Sequence, residues 1–183
     1  LGIKSDTVAF AMNAGMYDLS GNPIGLYVEN GKERHSLNRR TGAGNFHIIP
    51  NGVFWQDSAG QHVATTDDYA AMTSMSPTYA SQSGPMLVIN GLINPHFSPD
   101  GESRNIRNGV GIDSAGRTWF VISKEPVSFG KFARLFRDGL QCPNALYFDG
   151  LVSSLWDGST GRADRKFPLG PLLVVTERIP KTP

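Results

Sequence analysis

The chain has 183 residues, 39% of them hydrophobic and 18% charged. That fits one globular domain with a sizeable core and excludes a disordered chain. The 17 basic and 16 acidic residues leave a net charge of +1, without the clustered basic excess of a nucleic-acid footprint, and no apolar run reaches the roughly 18 residues of a membrane span.

The 21 glycines and 12 prolines predict many turns and short strands. In chain order, Thr7-Val-Ala-Phe-Ala-Met-Asn13 reads as a buried strand ending at an amide. Residues 24–29 read as a second strand, closed by the hairpin signal Asn30-Gly31. Residues 46–49 and 53–55 flank a turn at Pro50-Asn51-Gly52. Thr66-Asp67-Asp68 caps a short helix running through Met72. Residues 86–89 meet Asn90-Gly91, a second hairpin turn, and residues 110–112 and 118–122 flank Asp113-Ser-Ala-Gly116, a third. From Ser128 to Leu140, Phe129, Phe132, Leu135, Phe136 and Leu140 recur at helical spacing, with Gly139 as the stop. Phe132, Leu135 and Phe136 are expected to be buried. A buried strand, Asn144-Ala-Leu-Tyr-Phe-Asp149, runs into Gly150, and residues 171–175 make a last core strand. The pattern predicts a single α+β domain over residues 1–183, mainly antiparallel twisted sheet with a few packed helices.

Four polar motifs sit at ends of apolar strands. They are Met12-Asn-Ala-Gly-Met-Tyr-Asp18, Gln82-Ser-Gly-Pro85, Arg104-Asn-Ile-Arg-Asn-Gly109 and the Asp149-Gly150 segment with Ser153. For Asp149 two readings stand: an Asp-Gly turn between strands, or a carboxylate delivered to a functional rim. The recurrence of amide, arginine or carboxylate beside glycine is what a shared rim site looks like. Arginine offers a planar fork for phosphate, amides match sugar hydroxyls, and glycines let backbone N–H groups approach an oxyanion. One placed aspartate serves as nucleophile or base. Sugar hydrolases with poor leaving groups pair two carboxylates. A phosphate leaves more readily, so one carboxylate and an arginine can suffice.

Other candidates point elsewhere. His35, His47, His62 and His96 lack metal-ligand spacing, and Gly109-Val-Gly111 is followed by a strand, not by the helix of a dinucleotide site. The lone Cys142 rules out an intramolecular disulfide and a cysteine-built zinc site, and before Pro143 it reads as a packed thiol. No cofactor is demanded. Calcium is the one candidate, with Asp18 and Asn13 as ligands.

At these motifs, with Pro23-Ile-Gly25 and Pro50-Asn-Gly-Val-Phe54, the chain resembles the phosphodiester glycosidase family in order over most of its length. One departure is Leu151, where the family often has a second glycine. The chain begins inside the usual domain, so further strands are expected ahead of Leu1. The resemblance implies a hydrolase that cleaves the glycosidic bond of an N-acetylglucosamine-1-phosphodiester-like substrate. Asp149 would be nucleophile or base. Arg107, helped by Arg104, would bind the phosphate. Asn13 and Gln82 would orient the sugar, with Ser83, Gly84, Asn108, Gly150 and Ser153 completing the pocket. The alternatives are a non-catalytic envelope module binding anionic glycans through the same arginines, and a phosphodiesterase cutting the P–O bond. The partner is a carbohydrate or sugar phosphate, and the expected place is outside a bacterial cytoplasm.

Overall fold

The hairpin turns and alternating strands assemble into three antiparallel sheets in this computed structural model, which describes residues 7–72 and 76–177. In chain order the strands are β1 (Val8–Asn13), β2 (Tyr27–Glu29), β3 (Lys32–His35), β4 (Gly52–Asp57) and β5 (Gly60–Thr65). After helix α1 (Thr66–Ala71) come β6 (Tyr79–Ser83), β7 (Met86–Ile89), β8 (Leu92–Ile93), β9 (Asn108–Ile112) and β10 (Thr118–Ile122). Helix α2 (Phe129–Arg134) and a wide helical turn (Leu135–Gly139) precede β11 (Asn144–Asp149), β12 (Leu155–Asp157), β13 (Arg162–Ala163) and β14 (Leu172–Thr176).

The first sheet has the order β13-β12-β1-β14, the central one β10-β9-β11-β7-β8, and the third β3-β2-β6-β4-β5. β11 lies in the middle of the central sheet, covered on both faces. Its alternation assigns the faces: Ala145 and Tyr147 pack with Phe132, Phe136 and Leu87 on the helix side. Leu146 and Phe148 pack with Phe54, Val63 and Met86 on the other. Fully burying such side chains contributes about 1.5–3 kcal/mol each. Small residues on β9 make the helix side possible. A Cβ on Gly111 would lie 2.6 Å from the Phe136 ring and 2.9 Å from the Cys142 sulfur. Edge-to-face rings then join the sheets, Phe54 to Phe120 at 5.5 Å and Phe10 to Phe120 at 5.8 Å.

Several local expectations need correction. The second strand starts at Tyr27, not residue 24, because the backbone at Ile24 and Leu26 is committed to Asn38 and Gln82. Residues 45–47, ahead of the turn at Pro50, form a single 3-10 turn. The cap of α1 is Thr65, whose Oγ1 accepts from Asp68 N at 3.1 Å. The helix expected over residues 128–140 widens after Arg134, and this rotates Leu135 outward to 43% exposure while Phe132 and Phe136 stay buried. Ser128 caps it as expected, accepting from Lys131 N at 3.1 Å.

Candidate active site

Antiparallel pairing brings strand ends together at one rim. β11 ends at Asp149, its partner β9 begins at Asn108, and Asp149 stands opposite Asn108 in register. Between Tyr147 and Asp149 the register shifts, so two β11 residues oppose one on β9. Such a bulge bends the strand and re-aims the side chain that follows. β1 of the first sheet ends here too, at Asn13.

Two asparagines bolt these sheets together. Asn108 Nδ2 donates to Asn13 O at 2.9 Å and to Asn13 Oδ1 at 3.0 Å, and Asn13 Nδ2 reaches Asn108 Oδ1 at 3.3 Å. Asn108 Oδ1 also accepts from Asp149 N at 3.1 Å and from Ser153 Oγ at 3.2 Å. Asn13 Oδ1 accepts from Ser154 N at 2.9 Å. Both asparagines are buried, so their amides hold the rim in place and are consumed in doing so. Ser153 Oγ lies 2.9 Å from Ile106 O and 2.8 Å from Asp149 O, which ties the turn after Asp149 back to both strands.

The Asp149 carboxylate is half engaged. Oδ1 accepts from Gly150 N at 2.6 Å and Leu151 N at 2.8 Å. Oδ2 receives no hydrogen bond, and no cation pairs with the carboxylate, among the described residues. The turn former and the rim carboxylate are therefore one residue, with one oxygen for each role. Its charge reaches two phenols. Burial first, then the Asp149 charge, raises the pKa of Tyr17, whose hydroxyl donates to Pro168 O at 2.7 Å. Burial raises Tyr147 far more strongly, with the Arg107 cation opposing.

Arg107 lies one layer behind the carboxylate. It is fully buried. Nε donates to Val127 O at 2.8 Å, Nη1 to the Tyr147 hydroxyl at 3.2 Å and Nη2 to Ser103 O at 3.0 Å. The guanidinium also stacks on Phe129, 3.6 Å from its centroid. Three of about five N–H donors are thus engaged, and no carboxylate pairs with this cation among the described residues. Burial lowers its pKa, and Tyr147 partly offsets that. Gly150 lies directly over this pair: a Cβ there would collide with the Tyr147 hydroxyl and come within 3.4 Å of Arg107 Nη1.

The remaining expected residues sit elsewhere. Gln82 is buried. Its Oε1 accepts from Leu26 N and Asn38 N, both at 2.9 Å, and its Nε2 donates to Asn38 O at 2.7 Å and Thr66 Oγ1 at 3.0 Å. All its hydrogen-bonding capacity goes to Leu26 ahead of β2, Asn38 after β3 and Thr66 of α1, so it has none to offer a sugar. Ser83 is buried and donates to Phe148 O at 2.8 Å. Gly84 is buried beside Phe46 and Asn51. These three support the rim from behind and do not line it. Arg104 is exposed and paired with Asp100 at 2.9 Å, while its neighbour Ser103 roofs Arg107.

Asp18 is exposed and closes its own turn, accepting from Ser20 N and Asn22 N at 2.9 Å and from Asn22 Nδ2 at 3.3 Å. Those bonds, Asn22 foremost, lower its pKa. Calcium takes six to eight oxygen ligands, and no group of three His, Cys, Asp or Glu suited to a metal converges among the described residues. With Asn13 committed to Asn108, the residues here do not fit that ion. A cavity of about 660 Å³ lies by Trp55, His62, Asp113 and Asn144. That is the opposite end of β11 from Asp149, so this hollow and the rim at Asp149 are separate places.

Tyr17, Tyr147 and the loop of residues 164–171 were not among the expected site residues. Tyr147 was within reach, since it precedes Asp149 by two on a strand. The loop was not, because only the fold brings Pro168 to Tyr17.

Together these features define an antiparallel α+β protein in which the half-free Asp149 carboxylate is set at a rim by an asparagine pair. The sequence profile of the phosphodiester glycosidase family matches residues 6–176, and the chain belongs to that family. It is 44% identical over 149 residues to the uncharacterized protein YigE of Escherichia coli K12, an alignment covering 81% of this chain and 58% of YigE. Its fold is similar to the catalytic domain of zebrafish N-acetylglucosamine-1-phosphodiester alpha-N-acetylglucosaminidase, auto-inhibited by its pro-peptide. The TM-score is 0.66 at 18% identity, with 93% of this chain and 64% of that one covered. A hypothetical protein from Synechocystis has a TM-score of 0.52 at 17% identity, covering 85% and 48%. The chain thus spans less than two thirds of the length of each relative.

Proposed function

We propose that this protein hydrolyses a sugar-1-phosphodiester, breaking the bond between the anomeric carbon and the phosphate oxygen. Water supplies the oxygen that ends on the sugar, and the phosphate leaves as a monoester. The observation that carries the reading is Asp149: Oδ1 fixes the turn while Oδ2 is left free at a rigid rim. A carboxylate so placed acts as nucleophile at the anomeric carbon or as base toward the water. The phosphate needs little protonation to leave, so no second carboxylic acid is required.

Arg107 supports an anionic substrate through its field. A buried cation without a carboxylate partner projects positive potential through a medium that screens it weakly. Arg104, at the solvent side of the same segment, is paired with Asp100 and adds little to that field. The name of the zebrafish relative suggests N-acetylglucosamine as the sugar. Our proposal also has the protein act outside the cytoplasm, on wall or envelope glycans, which fractionation of cells making the full-length protein checks.

Release of free sugar from a panel of sugar-phosphodiesters tests the activity. In oxygen-18 water the label should appear on the sugar. Label on the phosphate means P–O cleavage. Binding across the panel with no turnover of any member means a non-catalytic glycan-binding module.

A further inference from the structure

We propose that the substrate of this site carries a hydrocarbon chain beyond its phosphate, which makes it a lipid-linked sugar phosphodiester. This rests on the hydrolase reading above and names its substrate class.

Three segments meet around Asp149, and each holds a large apolar side chain in solvent. The first is the turn 17–23, which follows Asn13 of the Asn13–Asn108–Asp149 network and is closed by pairing of Tyr17 with Pro23. It carries Leu19, fully exposed. The second is the turn after Asp149 itself. It carries Leu151, 79% exposed, whose N–H is held by Asp149 Oδ1. The third is the loop 164–171. It is fastened by the Tyr17 hydroxyl to Pro168 O at 2.7 Å and by Ala14 N to Pro171 O at 2.8 Å. It carries Phe167, 38% exposed.

Exposed leucines scattered singly mean nothing, but apolar side chains on three segments at one polar rim suit an interaction surface. Leu151 is the clearest of them. It stands beside the reacting carboxylate at a position without positive φ, so the backbone accepts it without strain. Nothing in the fold uses its side chain.

The charges beside this rim select the kind of apolar ligand. Arg165 and Lys166 precede Phe167, both exposed, and neither makes an ion pair among the described residues. Lys166 Nζ lies 5.3 Å from the centre of the Phe167 ring. Arg162 nearby is neutralised by Asp164 at 2.7 Å. Two free cations next to exposed Phe and Leu match a ligand with a phosphate followed by hydrocarbon. The sugar would face Asp149, the phosphate the basic pair, and the chain would run over Leu151 and Phe167 into solvent.

The test compares two substrates with one sugar-1-phosphoryl head, esterified to ethyl or to dodecyl alcohol and kept below micelle formation. The dodecyl ester should show about tenfold or greater kcat/KM, with the gain in KM. Leu151→Ser and Phe167→Ser should each pull the dodecyl-to-ethyl ratio toward one. Replacing Arg165 and Lys166 by alanine should weaken both esters, more so at low salt. Equal kcat/KM for the two esters would overturn the inference. Calorimetry on the matching non-hydrolysable phosphonate esters separates this inference from the hydrolase reading. Tail-dependent binding without turnover of either ester sinks the hydrolase reading alone. Tail-independent binding, or no binding of either, sinks the lipid-linked substrate.

Discussion

At the scale of single residues, Asp149 divides its two oxygens between structure and chemistry, and that division is testable. Asp149→Asn keeps an oxygen for the Gly150 and Leu151 N–H groups while removing the charge, so the turn should survive. Turnover should fall by about two orders of magnitude or more, with a melting temperature close to wild type. The stereochemistry of the released sugar then assigns the role. Retention at the anomeric carbon means a covalent intermediate on Asp149, and inversion means a base. Tyr147 is the next residue to question. Its hydroxyl accepts from the buried Arg107 Nη1. Tyr147→Phe keeps the ring against Phe129 and leaves one charged N–H unpaired. The expected cost is about 1–3 kcal/mol, read as a lower urea midpoint at unchanged slope.

At the scale of elements, the site is a junction of strand ends. The bulge before Asp149, the Asn13–Asn108 bolt and the turn at Gly150 all belong to different elements. Gly150→Ala would push a Cβ into the Tyr147 hydroxyl. Since β11 is locked in the middle of its sheet, the turn must move instead. Activity should drop sharply while the fold loses only about 1–3 kcal/mol, a contrast visible by comparing kcat with thermal melts. Gln82 makes the opposite case. Gln82→Met preserves volume and removes four hydrogen bonds that tie Leu26, Asn38 and Thr66 together. Stability should fall by at least about 3 kcal/mol, while KM of the protein that remains folded is unchanged. A raised KM at constant stability would restore Gln82 to the sugar site. The wide turn after α2 shows the same lesson in packing. It keeps Phe132 and Phe136 on the sheet but swings Leu135 away from it.

At the scale of the whole molecule, carboxylates spent on structure set the response to acid. Asp113 accepts from Trp119 Nε1 at 3.0 Å, and from Arg117 N and Ala115 N at 2.9 Å, and its folded pKa is strongly lowered, with the Trp119 bond the leading cause. Asp138, Asp157 and Asp164 are lowered as well, led by bonds from Arg137, Ser159 and Arg162. A depressed carboxylate contributes stability that is fully present above its unfolded value of about 4 and is lost as pH falls through the folded value. Melting temperature should therefore decline below about pH 4. Asp113→Asn should lower it at neutral pH and flatten the acid slope, which melts from about pH 2.5 to 6 would reveal. Much of the fold was legible in the residues alone. Asn30-Gly31, Asn90-Gly91 and Asp113-Ser-Ala-Gly116 declared their hairpins, because two-residue and short turns need those backbone conformations wherever they occur. The continuous apolar run along residues 145–148 declared a buried strand, and polar groups at strand ends declared a rim. The sequence determined these because they depend on near neighbours. Which polar groups were already spent was decided by tertiary structure. Gln82 meets Leu26, Asn38 and Thr66, Arg107 meets Val127 and Tyr147, and Asn13 meets Asn108 across 95 positions. A donor's type is written in its own residue, but whether it is free depends on a partner that only long-range antiparallel pairing brings within 3 Å.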